Sequence, residues 1–179
     1  MSRVILISVL LFVFFVGTAA AQCTDKVVLA CPPFMSLGSP FTLPIRVTNC
    51  QGTVESFGFD IIIEHIELDY IGLETAGTLV NQWFYVSAEK IEGSPLPPPL
   101  STPDKVHVSC FNSPGFGVVN NSLLLKVILR PRDMGSVYLS LPPSGMTGDL
   151  AGFQAGGTCN IIVPVEPSSW GLIKALYRQ

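Results

Sequence analysis

From Phe41 to Asn49 apolar and polar residues alternate: Phe41, Leu43, Ile45 and Val47 fall on one side, and Thr42, Pro44, Arg46 and Thr48 on the other. A period of two with one polar face predicts a half-buried β-strand. Pro44 inside it, with no N–H to give, predicts an edge or a bulge. The alternation returns from Val54 to Ile63, where Phe57, Phe59, Ile61 and Ile63 share a face. It returns again from Lys105 to Phe111, where Val106, Val108 and Cys110 do, and across Val137, Leu139 and Leu141. Leu79 to Ala88 predicts a further strand, carrying Trp83, Phe84 and Tyr85, and Ser122 to Arg130 is nearly all apolar, as a central strand covered on both faces would be. Short apolar runs at Val27–Ala30 and Thr158–Val165 predict the first and last strands. Glu64 to Tyr70 mixes charge with Ile66 and Leu68 and reads as a loop or a short helical turn, with Gly72 and Gly77 bracketing a connector. Turn residues separate the runs, and no long helical period occurs between them. The pattern therefore predicts an all-β fold, an antiparallel two-sheet sandwich of about nine strands, of which the jelly roll is one form.

Both ends depart from this pattern. Arg3 is the only charge before Asp25, Val4 to Val16 is apolar except for Ser8, and Gly17, Thr18, Ala19, Ala20 and Ala21 follow. A positive start, an apolar run and small residues at A-x-A spacing make residues 1–21 a secretory signal peptide, with the mature chain starting at Gln22 or Ala21. The apolar run falls short of the roughly 20 residues that a membrane span needs. Gln22 stands where a lipid-attachment signal at Cys23 would want Gly, Ala or Ser. The chain is thus expected outside the cell or on its surface, with the periplasm as the alternative and no stable membrane span after cleavage. At the other end, residues 165–179 form a separate tail. Ser168 or Ser169 can cap a short amphipathic helix whose stripe is Trp170, Ile173, Leu176 and Tyr177. That tail reads as a helix docked on the sandwich, as a frayed end, or as a short docking or surface-retention segment.

Charge narrows the partners. Of 179 residues only 13% are charged, about half the usual share of roughly 25%, and the net charge is −3. This excludes a disordered polyelectrolyte and argues against nucleic acid as a partner. The 16 Gly and 15 Pro suit many short strands, and the proline-rich stretch from Glu92 to Asp104 reads as a surface loop. All five cysteines (Cys23, Cys31, Cys50, Cys110 and Cys159) follow the leader. In an oxidising compartment they are expected to form two disulfides and leave one over, and spacing alone does not choose the pairs. No C-x-x-C occurs, which argues against zinc.

Catalytic signals are missing. There are two histidines, His65 and His107. Glu64, His65 and Glu67 lack the second His of a zincin motif, and His65 reads as a loop residue. His107 sits on the strand face opposite Val106 and Val108 and is expected to be exposed. No nucleophile elbow, phosphate loop or dinucleotide fingerprint is present. The acidic stretch from Glu55 to Glu74 supplies Asp60, Glu64, Glu67, Asp69 and Glu74, but sequence cannot place two of them across a cleft. It reads as a solvated face, or else as a cation or partner site. The expectation is a chain with no catalytic or metal-binding residues and no cofactor, not an enzyme. Trp83 and Tyr85 project from one face of a single predicted strand. Together they make a carbohydrate- or partner-binding platform if exposed, and core packing if not.

Gly38 through Asn49 (GSPFTLPIRVTN), Val54 to Ile63 (VESFGFDIII) and Leu68-Asp69-Tyr70 resemble the opening of a cohesin-like domain. Gly117 with Leu123 to Leu129, Gly135 to Leu141 and Gly157 to Val163 are similar to that family's later turn and strands. The resemblance covers about residues 26 to 164 and implies a cohesin-like β-sandwich domain at 24–164. It implies a nine-stranded jelly-roll sandwich, related in fold to carbohydrate-binding modules, and a secreted binding role in polysaccharide-degrading assemblies. The function it implies is a non-catalytic protein–protein interaction module in an extracellular or cell-surface assembly. A carbohydrate-binding module and a structural or adhesion component are the alternatives, so the partner is a protein or a polysaccharide. The cohesin-like topology also implies a disulfide pairing, because its first and last strands run parallel and adjacent. Cys23 would then meet Cys159, and Cys50 would meet Cys110, with Cys31 left over.

Overall fold

A computed structural model describes residues 23–94 and 102–164. The described residues form eleven strands: β1 (Lys26–Leu29), β2 (Phe41–Asn49), β3 (Val54–Glu64), β4 (Leu68–Glu74), β5 (Tyr85–Ile91), β6 (Asp104–Phe116), β7 (Val119–Pro131), β8 (Gly135–Ser140), β9 (Thr147–Gly148), β10 (Gln154–Gly156) and β11 (Cys159–Val163). One 3₁₀ turn, Pro143–Gly145, is the only helical element among them. The tail helix predicted at 165–179 and the leader at 1–21 lie outside the described residues.

The strands make two sheets. The five-stranded sheet runs β10-β1-β2-β7-β4 and the six-stranded sheet runs β11-β8-β3-β6-β5, with β9 paired to β3 off that path. All pairings are antiparallel except that of β1 with β10 and an isolated bridge between Phe34 and Ile162. The sandwich and jelly roll expected from alternation are the observed architecture. The predicted inward faces close the core: Leu43, Ile45 and Val47 of β2 meet Phe57, Phe59, Ile61 and Ile63 of β3, with Val106 and Val108 of β6 and Leu125, Val127 and Leu129 of β7. Full burial of each such side chain contributes about 1.5–3 kcal/mol.

Three expectations shift. Leu68–Glu74, read as loop and connector, is a strand that pairs β7 from Leu68↔Pro131 to Glu74↔Lys126. Its pattern is hidden because Asp69 and Glu74 turn outward and bond to bases on β7 and beyond, while a register shift sits between Tyr70 and Gly72. The strand expected at Leu79–Ala88 begins only at Tyr85. Before it the chain makes consecutive turns closed by Thr78 N–H to Thr75 O, Asn81 N–H to Thr78 O and Trp83 N–H to Val80 O. Gly77 and Gln82, at φ 72° and 70°, take the left-handed conformation that stops an extended strand. Finally β7 is central, between β2 and β4, but not covered on both faces: Lys126 and Ile128 are half-buried on its outer side.

The expected disulfides are also corrected. Cys23 bonds Cys50 and Cys31 bonds Cys159, with Cα separations of 5.8 and 5.4 Å, and the buried Cys110 is the free thiol. The register explains both bridges. β1 pairs β2 antiparallel with Lys26 opposite Thr48, so the residues just before β1 meet those just after β2, and Cys23 reaches Cys50. The strand parallel to β1 is β10, with Lys26 opposite Gln154, while β11 belongs to the other sheet. Cys31 and Cys159 therefore leave the same end of that parallel pair. The expected Cys50–Cys110 bridge needs Cys110 at the end of its strand, yet β6 continues to Phe116 and Cys110 faces Phe57 in mid-strand. It points into the core, and burial pushes its thiol up to about 12.

Candidate functional site

The outer face of the six-stranded sheet carries the most chemistry in the described residues. Residues of β3, β5 and β6 whose neighbours point inward are brought into rows by register. One row is Glu89, His107 and Asp60, the next is Ser87, Ser109 and Gly58, and Thr147 of β9 sits beyond Gly58. Side chains at cross-strand positions lie about 4.5–5.5 Å apart, so each row is one contiguous patch.

Within these rows runs a single hydrogen-bonded chain. Lys105 Nζ donates to Asp60 Oδ2 at 2.8 Å, His107 Nδ1 lies 2.7 Å from Asp60 Oδ1, and Ser109 Oγ lies 2.9 Å from His107 Nε2. Burial pushes the Asp60 carboxyl up, but hydrogen bonds and charge from Lys105 and His107 outweigh it and hold Asp60 below the usual carboxylate range. An ionised carboxylate only accepts, so Nδ1 of a neutral His107 carries the proton and Nε2 accepts from the Ser109 hydroxyl. His107 is thus on the outward face, as its alternation predicts, but it is held from two sides.

Gly58 shapes the same patch. A Cβ built there would come within 2.7 Å of Thr147 Oγ1 and 3.7 Å of His107 Cε1. The absent side chain lets the Thr147 hydroxyl lie directly over Gly58, with the imidazole edge alongside and Ser109 opposite Gly58 in register.

An apolar patch borders these rows. Phe84 is 86% exposed, and Tyr85 and Phe111, opposite each other across β5 and β6, are each 48% exposed. Asn112 Oδ1 fixes Phe84 by accepting its N–H. Trp83 does not share this surface. It packs against the core, its ring 5.5 Å from that of Phe57 and 5.9 Å from that of Phe116. The Trp83–Tyr85 platform is therefore not formed: Trp83 precedes the strand and turns under it, while Tyr85 faces out.

The remaining candidates separate. His65 is exposed at the turn after β3, at φ 83°, with its ring edge against Tyr138. The acidic stretch is not an unpaired face. Its partners arrive from distant strands: Lys105 for Asp60, Lys126 for Glu74, and Arg130 and Arg132 for Asp69. Among the described residues, no group of His, Cys, Asp and Glu is arranged to hold a metal ion. No helix among them is long and apolar enough to cross a membrane. The tail residues Trp170, Ile173, Leu176 and Tyr177 lie outside the described residues. Sequence reasoning missed the link between Asp60, His107 and Ser109, because the H-x-S spacing reads as ordinary alternation until Asp60 is registered beside it.

No family model matches the chain, and neither does any curated protein. Solved structures do. The crystal structure of CaCohA2 in complex with a CaDoc0917 variant superposes at a TM-score of 0.54, with 14% identity over 79% of this chain and 100% of that one. The solution structure of CaCohA2 from Clostridium acetobutylicum gives 0.56, with 13% identity over 85% and 99%. A cohesin module from a Clostridium perfringens family 33 glycoside hydrolase covers 79% of this chain and 98% of its own at 12% identity and a TM-score of 0.48. The chain has a cohesin-like fold.

Proposed function

We propose that this chain is an exported binding module that engages a protein partner through the outer face of its six-stranded sheet, within an extracellular or cell-surface assembly linked to polysaccharide breakdown. Binding, rather than turnover of a substrate, is the main role assigned to it. The observation that carries the reading is the patch of Phe84, Tyr85 and Phe111 beside a polar, hydrogen-bonded row. Exposed aromatic anchors flanked by satisfied polar groups are what protein interfaces concentrate at their centres. The cohesin-like fold and the CaDoc0917–CaCohA2 complex support the same class of role. Two disulfides support passage through an oxidising compartment, in keeping with export by residues 1–21. The sugar-platform alternative is weakened by the inward packing of Trp83. Residues 165–179 are proposed as a docking or surface-retention segment.

The test immobilises the full mature chain and exposes it to the exported proteins of its source and, separately, to insoluble polysaccharide. Phe111→Glu should abolish capture of a specific protein, while Ile71→Glu, an equally exposed site on the other sheet, should leave it intact. Protein capture that survives Phe111→Glu overturns the choice of face. Polysaccharide binding that Phe111→Glu removes, without any protein captured, overturns the choice of partner.

A further inference from the structure

We propose that Ser109, His107 and Asp60 form an acyl-transfer site in which Ser109 Oγ is a nucleophile for small activated esters. The inference goes beyond partner binding and does not depend on it. Three observations carry it. The hydroxyl, the imidazole and the carboxylate are joined in the order a nucleophile, its base and the group that orients the base require, at 2.9 and 2.7 Å. All three are only part-buried, so an ester can reach Ser109. Thr147 Oγ1 lies over Gly58, the cross-strand partner of Ser109, so a second hydroxyl stands beside the nucleophile.

The parts have distinct roles. Asp60 is a positioning residue: its ionised oxygen holds the proton on Nδ1, which leaves Nε2 free to accept. Lys105 keeps Asp60 ionised through the other carboxylate oxygen. In the reaction the Ser109 proton passes to Nε2 while Oγ bonds to the carbonyl carbon and the carbonyl electron pair moves onto oxygen. Thr147 Oγ1–H is the donor placed to meet that oxygen. Collapse re-forms the carbonyl and breaks the bond to the leaving alcohol or phenol oxygen, which takes the proton from Nε2. Water, deprotonated by the same nitrogen, then releases the acid and restores Ser109. Ser109 is only part-buried, so water reaches the site, and the chemistry it fits is slow acylation by compact acyl groups such as acetyl.

Purified full-length mature protein is treated with a fluorophosphonate probe and, in parallel, with p-nitrophenyl acetate, and the adducts are located by peptide mapping. The expected result is one dominant adduct on Ser109 and a burst of p-nitrophenol matching it. Ser109→Ala should remove both. His107→Gln should slow labelling about 100-fold, the low end of what a positioned base contributes. Thr147→Val, which leaves the hydrogen-bonded chain untouched, should slow acetylation about ten-fold, a partial oxyanion-donor effect. Far-ultraviolet circular dichroism confirms that each variant is folded. No Ser109 adduct on folded protein, an adduct that forms at the same rate in His107→Gln, or acetylation confined to Lys105 would each overturn the proposal. Partner capture by the wild-type protein is measured on the same sample, so that capture without a Ser109 adduct, or an adduct without capture, separates failure of this site from failure of the binding role.

Discussion

The outer faces of the two sheets use the same residue types to opposite ends. On the five-stranded sheet the acidic side chains of β4 meet basic ones on β7 and just after it. Arg130 and Arg132 reach Asp69 at 2.9 and 2.6 Å, and Lys126 reaches Glu74 at 2.6 Å. Those contacts join charge to charge alone, with Arg132 going on to Glu67, and bring no hydroxyl or other nucleophilic atom into the network. On the six-stranded sheet Asp60 also meets a lysine, but its second oxygen passes the interaction on through His107 to the Ser109 hydroxyl. Aromatic side chains stand exposed beside this second network, whereas Ile71 is the only large apolar residue of β4 left exposed beside the first. A network of charges alone makes a sheet face inert, while one that continues through an imidazole to a hydroxyl leaves something for a ligand to meet.

That contrast requires both faces to ride on one rigid sandwich, and the largest predicted effect tests it. Cys31–Cys159 joins the end of β1 in one sheet to the start of β11 in the other, across a sequence separation of 128. Cys23–Cys50 ties β1 to β2 within the five-stranded sheet, across a separation of 27. By loop-closure entropy the first stabilises by about 5 kcal/mol and the second by about 3.5 kcal/mol. Urea unfolding of the two paired Cys→Ala variants should give losses in that order. Equal losses, or a larger loss from the short loop, would mean that Cys31–Cys159 does not pin the sheets together.

The next effect sharpens what is surface and what is core at the aromatic end of the six-stranded sheet. Trp83→Ala should cost about 3 kcal/mol, because its ring fills space against Phe57 and Phe116. Phe84→Ala, one residue on, should change stability by less than about 0.5 kcal/mol, since that side chain touches mostly solvent. Chemical denaturation of both decides. A stable Trp83→Ala would return Trp83 to the surface and restore the sugar platform.

These elements also show what the sequence made legible. Period-two alternation placed β2, β3 and the first half of β6, because each has an apolar face whose burial dominates its energetics. β4 was not readable: its outward Asp69 and Glu74 satisfy bases on β7 and in the segment that follows it, and nothing local marks that. Trp83 reads as part of the strand because the turn that ends at it has a glutamine, Gln82, as its left-handed residue, rather than the glycine that usually signals one. The Cys31–Cys159 bridge follows from which strand lies parallel to β1, and that strand, β10, has only three residues, too few to show a period. The Asp60–His107–Ser109 chain depends on the β3–β6 register, which no single strand's pattern contains.

The smallest effect compares the two carboxylates at the centre of the two faces. Hydrogen bonding from Arg130, with charge from Arg132, outweighs desolvation and holds Asp69 below the usual carboxylate range. Asp60 is held below it too, against its own burial, by Lys105 and His107. A carboxyl lowered in the folded state binds its proton more readily once unfolded, so it adds stability at pH values above the unfolded pKa of about 3.9. That contribution is nearly complete by about pH 5 and disappears as the pH falls through the lower folded value. Wild-type stability should therefore drop as the pH falls below about 5, and Asp69→Asn and Asp60→Asn should each flatten part of the drop. The two faces differ in what the acid limb takes with it. Protonating Asp69 only releases arginine side chains to solvent, whereas protonating Asp60 also frees His107 Nδ1 and with it the orientation of the ring toward Ser109. Denaturation curves across the acid range, paired with fluorophosphonate labelling at about pH 8, where an imidazole can act as a base, distinguish the cases. Asp69→Asn should alter the acid limb alone, and Asp60→Asn should alter both the acid limb and the labelling rate. If Asp60→Asn leaves labelling unchanged, the network on the six-stranded sheet is as inert as the ion pairs on the other.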